Sequence, residues 1–156
     1  KIYFLPKTSN GVNKIALIIG GSGDIGKAIA HKMVQDGVKV YSSFYGKKPN
    51  NDPSINFFNL DVADSDSVKK EFSQILSKEN VDIVVFSVSA EIENKPLLNL
   101  SWDDYLKHLN IQVKGLFNII EALKGHIQLK KKFKFSNIIL FNQILLLFLT
   151  GFASYI

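Results

Sequence analysis

At 156 residues the chain is long enough for one domain with a buried core. It has no cysteine, which excludes disulfides and thiolate metal sites and leaves nothing to argue for secretion. The net charge of +5 comes from lysine alone; arginine, whose fork reads bases and phosphates, is missing, so nucleic acid is not an expected partner.

Apolar runs and helical patterns alternate along the chain. Residues 15–19 (Ile-Ala-Leu-Ile-Ile) read as a strand buried on both faces, followed at once by a glycine-rich turn. Ile25, Ile29 and Met33 then recur at helical spacing on one face, and Gly37 is predicted to stop that helix. A second strand spans 38–44, a loop rich in Gly, Pro, Asn and Lys spans 46–53, and a third strand spans 55–60. The next helix is expected to begin near Asp64 or Ser65 and to turn Val68, Phe72, Ile75 and Leu76 inward, with a fourth strand at 82–88. Ser101-Trp102-Asp103-Asp104 has the form of a capping box, its acids at the positive end of the helix dipole. Trp102, Tyr105, Leu106, Leu109, Val113, Leu116, Phe117, Ile120 and Leu123 follow as one apolar stripe, and a fifth strand includes Asn137 to Phe141. This β-α-β order predicts an α/β fold, a doubly wound parallel sheet with right-handed crossovers.

Gly21-Ser22-Gly23-Asp24-Ile25-Gly26, preceded by Gly20, is a G-x-G-x-x-G placed between a predicted strand and a predicted helix. That context gives the motif its mechanism: the glycines allow a tight turn and close approach, and free N–H groups at the helix start attract a pyrophosphate. The alternative is a glycine-rich turn with no ligand.

Ile-Ile-Gly-Gly-Ser-Gly-Asp-Ile-Gly-Lys-Ala-Ile-Ala (18–30) resembles the opening of short-chain dehydrogenases/reductases, whose pattern is T-G-x-x-x-G-x-G. The 3-oxoacyl-carrier-protein reductases are similar in flavour. Gly20 and Gly26 take the outer glycines, Ile19 replaces the Thr, and Asp24 replaces the middle glycine beside Gly23. The resemblance, which runs from about residue 14 to the end, implies a Rossmann-type sheet left incomplete at its C-terminal end, a single partial dinucleotide-binding domain over 1–156. It also implies an enzyme that transfers hydride between a nicotinamide and a carbonyl or alcohol, a ketoreductase acting on a small or acyl-carrier substrate.

Further positions follow from the resemblance. Leu60-Asp61-Val62 is similar to the family's Asp-Val beside the adenine, though Asp61 alone could be a strand-end residue. Phe86, Ser87, Val88 and Ser89 stand where the family has Asn-Asn-Ala-Gly: the small residues leave room for a cofactor, and Phe86 cannot make the usual polar contact. Asn110 falls where the family keeps a helix asparagine for a proton-relay water, or else sits at the edge of an apolar face. Gly115, within the same helix, implies close packing there.

The family's chemistry uses a tyrosine as general acid, a lysine four residues later and a serine on the carbonyl. Gly151-Phe152-Ala153-Ser154-Tyr155 resembles the approach to that tyrosine, and thirteen residues earlier stands Asn142, whose amide can still donate. The lysine position lies past Ile156, and a tyrosine near its free pKa of about 10 is a poor acid, so the isolated chain is expected to be inactive. Lys1 in place of Met, and the apolar run up to Ile156, suggest a fragment. Phe44 and Tyr45 stand where an NAD enzyme keeps an acid, with Lys47 and Lys48 following, so NADP is the expected cofactor, with NAD the other possibility.

His31, His108 and His126 lack ligand spacing, and Asp61, Asp64 and Asp66 fit strand-end and cap roles, so no metal is expected. Relatives assemble through the long helix, which makes the full-length form an expected homo-oligomer, cytoplasmic and not membrane-bound. Two other classes remain in view: a nucleotide-binding module without chemistry, and a tail-anchored protein. The second rests on residues 138–156, which hold no charged side chain and follow Lys130, Lys131, Lys132 and Lys134.

Overall fold

An apolar side chain at every position, as in β1 (Ile15–Ile19), suits only a strand covered on both faces. In the computed structural model, which describes residues 14–50, 52–90, 96–129 and 138–140, that is where it lies. The sheet has the order β3-β2-β1-β4-β5, with β2 at Lys39–Phe44, β3 at Ile55–Asn59, β4 at Ile83–Phe86 and β5 at Ile138–Leu140. Every pairing is parallel: Ile15 stands beside Lys39 and Ala16 beside Ile83, so β1 is hydrogen-bonded on both edges.

Alternate residues of β1 feed two separate cores, as the two-residue strand period requires. Leu17 and Ile19 join Val68, Phe72, Val84, Ile119 and Leu123 under α2 (Ser65–Leu76) and α4 (Gly115–Leu129). Ala16 and Ile18 join Ala30, Met33, Val40 and Val85 under α1 (Asp24–Gln35). Full burial of each large aliphatic or aromatic side chain contributes about 1.5–3 kcal/mol, and Phe72, Leu17, Ile18 and Ile19 are the largest of those fully buried.

Local chemistry sets the helix ends. Gly37, at φ +77°, lets α1 close with bonds from Gly37 N to Val34 O and Val38 N to Met33 O. Asp64 caps α2 by accepting from Asp66 N at 3.0 Å. The capping box forms at α3 (Trp102–His108): Ser101 Oγ accepts from Asp104 N, and Asp104 accepts from Ser101 N at 2.8 Å.

The long helix departs from expectation in one respect. Between α3 and α4, residues Leu109–Lys114 form a π-helical segment, so the helix is not one continuous α-helix. The predicted stripe divides accordingly. Ile119 and Leu123 are buried, whereas Trp102, Tyr105, Leu109, Val113 and Phe117 are exposed, Phe117 at 60%. On α1 the inward positions are Gly26, Ala30 and Met33, and Ile25 is 42% exposed. Met33 is buried and Ile29 packs against the same core as expected, whereas at the helix start Gly26, set against Gly20 and Gly21, holds the inward position in place of Ile25.

Among the described residues no helix is long and apolar enough to cross a membrane; most of the apolar stretch over 138–156 lies outside them.

At the N-terminal end of the sheet, Glu79 accepts from Lys39 Nζ at 2.5 Å and Tyr41 Oη at 2.6 Å, tying the end of α2 to β2. Both bonds favour the carboxylate and hold Glu79 below its usual range, Lys39 making the larger contribution. A depressed folded value means a stabilisation that is full above the unfolded pKa and disappears as pH falls through the folded one. Wild type is expected to resist urea better than Glu79→Gln at pH 7, the gap narrowing as falling pH protonates the carboxylate. A gap that does not change with pH refutes the ionic tie.

Candidate functional site

β1 leads straight into the glycine turn, and the sheet order reverses between β1 and β4, which opens a crevice at the C-terminal edge. The turn fits only glycine at three positions. Gly20 has φ +88°, and a Cβ there would meet Ser87 O at 2.5 Å. A Cβ on Gly21 would overlap Ser42 Oγ, and one on Gly26 would strike the carbonyl of Gly20.

Two serines of β2 hold this turn, and no motif marks them. Gly20 N donates to Ser43 Oγ at 2.9 Å and Gly21 N to Ser43 O at 3.0 Å. Ser42 Oγ is buried beneath the turn without a hydrogen-bond partner among the described residues. Gly23 N donates to Gly20 O at 3.3 Å, and Gly23 is the N-cap of α1 but offers no side chain to it. The opening N–H groups of α1, at Asp24, Ile25 and Gly26, are therefore left for solvent or an anion. Ser22 and Asp24 are exposed beside them. The carboxylate of Asp24 opposes an anion at this end.

The other predicted positions gather along the same edge. Phe44 ends β2, half-buried, and its carbonyl accepts from Leu60 N at 2.9 Å; Tyr45 is 72% exposed, and Lys47 and Lys48 are exposed after it. Asp61 turns its carboxylate back onto Ala63 N at 2.9 Å, and Val62 is buried against the long helix. That packing is as close as Gly115 implied: a Cβ on Gly115 would sit 2.8 Å from Val62 Cγ2. Phe86 remains in β4 as part of the core, so the turn after the strand starts at Ser87, whose N donates to Ile19 O at 2.8 Å. Val88 is half-buried and Ser89 exposed.

Asn110 is not brought into this crevice by any described contact; it is exposed, within the π segment. Two residues on, Gln112 is only 5% exposed, and neither of its amide atoms has a hydrogen-bond partner among the described residues. It lies three residues before Gly115, within the π segment. A polar residue three positions before a mid-helix glycine was the sequence signal for it. Asn142 and Tyr155 lie outside the described residues. Among the described residues no group of three or more His, Asp or Glu could hold a metal ion.

A glycine turn of this build at the switch point of a 3-2-1-4-5 sheet fits a phosphate-bearing ligand. Comparison with known proteins agrees with the motifs: the family model for short chain dehydrogenases matches residues 14–139. The chain belongs to the short chain dehydrogenase family. It is 27% identical over 108 residues to the bifunctional ribulose 5-phosphate reductase/CDP-ribitol pyrophosphorylase of Haemophilus influenzae, covering 69% of this chain and 20% of that one. The 3-oxoacyl-(acyl-carrier-protein) reductase of Staphylococcus epidermidis is 26% identical over 125 residues, covering 72% and 50%. A blue fluorescent protein from a metagenomic library, solved in complex with NADPH, has a TM-score of 0.64 at 25% identity, covering 74% and 52%. The chain thus spans half or less of the length of these two curated relatives.

Proposed function

We propose that the chain is the cofactor-binding part of an NADP(H)-dependent oxidoreductase, a ketoreductase acting on a small or acyl-carrier-bound carbonyl. The glycine turn at the switch point carries this reading, because its uncapped helix start is a ready site for a pyrophosphate. Likeness to a 3-oxoacyl-(acyl-carrier-protein) reductase supports the substrate class, and likeness to an NADPH complex supports the cofactor.

In this reading the N–H groups of Ser22, Asp24, Ile25 and Gly26 hold the pyrophosphate, with Gly20, Gly21 and Gly23 allowing its approach. Asp61 and Val62 flank the adenine, and Ser87, Val88 and Ser89 leave room beside β4. Bound nicotinamide would supply or accept the hydride. Tyr155 would move the proton at the substrate oxygen and Asn142 would orient that oxygen. For the relay on the long helix, Asn110 was the expected residue; the buried, unpartnered amide of Gln112 suits it better. The exposed face of Trp102, Tyr105, Leu109, Val113 and Phe117 would pair copies of the full-length, cytoplasmic form.

The preference for NADP rests on the end of β2. Phe44 and Tyr45 carry no charge there, Lys47 and Lys48 follow, and the acid of that loop is already engaged. Asp52 accepts from Ser54 Oγ at 2.5 Å and faces His31 at 3.4 Å; the Ser54 bond does most to lower its pKa. Titration by nicotinamide fluorescence should give NADPH about tenfold tighter binding than NADH at low salt, the gap shrinking as salt screens the lysines. Joint replacement of Lys47 and Lys48 by Gln should close the gap. Tighter NADH binding overturns the preference, and no binding of either overturns the reading.

A nucleotide-binding module without chemistry is the second reading, favoured by Phe86 and Ser87 in place of the paired asparagines. A longer form carrying a lysine four residues after Tyr155 separates the two, since only an enzyme then reduces simple ketones. The 156-residue chain alone is expected to bind without reducing.

A further inference from the structure

We infer that Asn118, on α4 and remote from the glycine turn, is a positioning residue for the adenine end of the cofactor, acting through the backbone of Val62. The inference rests on the dinucleotide reading above and extends it to a residue that no motif marks. Asn118 is 7% exposed and donates from Nδ2 to Val62 O at 2.9 Å. One turn earlier Gly115 presses on the side chain of the same residue, 2.8 Å from Val62 Cγ2 for a Cβ built there. Val62 is thus held twice from one helix, once by its carbonyl and once by its side chain.

What Val62 belongs to gives the contact its consequence. It sits between Asp61 and Ala63, the turn that Asp61 closes by accepting from Ala63 N, and Asp61 O accepts from Asp64 N at 3.3 Å. On its other side the turn is joined to β2 by the bond from Leu60 N to Phe44 O. β2 and β3 therefore fix one flank of the Asp61–Ala63 turn, and α4 fixes the other. Without the Asn118 amide the Val62 carbonyl is a buried acceptor with no donor, and it regains one only if the turn shifts toward water. The peptide that shifts joins Val62 to Ala63, directly after the two residues assigned to the adenine.

The test uses the full chain and adenosine 2′,5′-bisphosphate, the adenine half of NADPH, in calorimetric titration. Asn118→Leu, which keeps the bulk and removes the donor, should weaken binding about tenfold, the scale of one buried acceptor left unpaired. Amide exchange at Ala63 and Asp64 should speed up in the same variant while the amides of α1 do not change. Gly115→Ala provides a second route to the turn if Asn118→Leu folds poorly. Its cost to binding should be smaller in a Val62→Ala background, where the obstructing Cγ2 is gone. Full affinity in folded Asn118→Leu and Gly115→Ala overturns the positioning role and leaves the dinucleotide reading intact. If the wild-type chain binds neither the bisphosphate nor NADPH, the dinucleotide reading fails and the inference with it.

Discussion

Gly26→Ala is expected to weaken NADPH binding by about a hundredfold, because a misplacement of about 1 Å at a positioned site costs that much. Stability should fall as well, by about 1–3 kcal/mol, as in other overpacked sites. The added methyl points at the carbonyl of Gly20, with Gly20 C and Gly21 Cα each 2.9 Å away. All three are backbone atoms, so no rotamer change makes room. Gly20 cannot yield either: its N–H is bound to Ser43 Oγ, its carbonyl accepts from Gly23 N, and its φ of +88° sets it against Ser87. The turn must open or α1 must slide away from β1, and both displace the N–H groups that would face the pyrophosphate. Gly23→Ala is the control, since a Cβ there has only Gly20 O within 4 Å, at 3.6 Å, and φ is −77°. Fluorescence titration with NADPH and urea unfolding of both variants check the contrast. Equal loss in the two would show that the turn is sensitive to any side chain, against the geometry described.

The order of strands and the place of the glycine turn were legible because each is written in contiguous residues. A five-residue apolar run such as Ile15–Ile19 admits no face for solvent, and a G-x-G-x-x-G between strand and helix has one mechanical reading. The capping box at Ser101 was legible for the same reason. Helix phase was not. A single 3.6-residue period puts Trp102 and Leu123 on one stripe, but the π segment at Leu109–Lys114 winds with an extra residue per turn, and beyond it Ile119 and Leu123 are buried while Phe117 stays exposed. The same shift hides Gln112 and draws attention to Asn110. On α1, Ile25 is expected inward because it is apolar, yet Gly26 holds the inward position, since only a residue without a side chain lets α1 come so near the turn at Gly20 and Gly21. Ser43 and Asn118 act through partners 23 and 56 residues away in sequence, and no local pattern signals such contacts.

Gln112→Leu is expected to raise stability by about 1–2 kcal/mol while lowering function, opposite signs that a purely structural residue does not give. Both amide atoms of Gln112 are buried without a partner among the described residues, so their desolvation is not offset by any of these. Leucine has nearly the same volume and no polar atom to leave unsatisfied. Urea unfolding of the chain reads the first half of the expectation. The second half needs a form that turns over: there kcat should fall at least about tenfold, the scale of a lost proton-transfer contribution, with KM for NADPH unchanged. Asn110→Leu is the comparison, exposed and expected to stay within about 0.5 kcal/mol of wild type. If Asn110→Leu lowers kcat and Gln112→Leu does not, the relay belongs to the exposed asparagine and the buried amide is only a cost of the π segment. If neither lowers it, the proton does not pass by this helix, and the buried amide needs another partner. A destabilised Gln112→Leu would mean that water or a group outside the described residues already satisfies it.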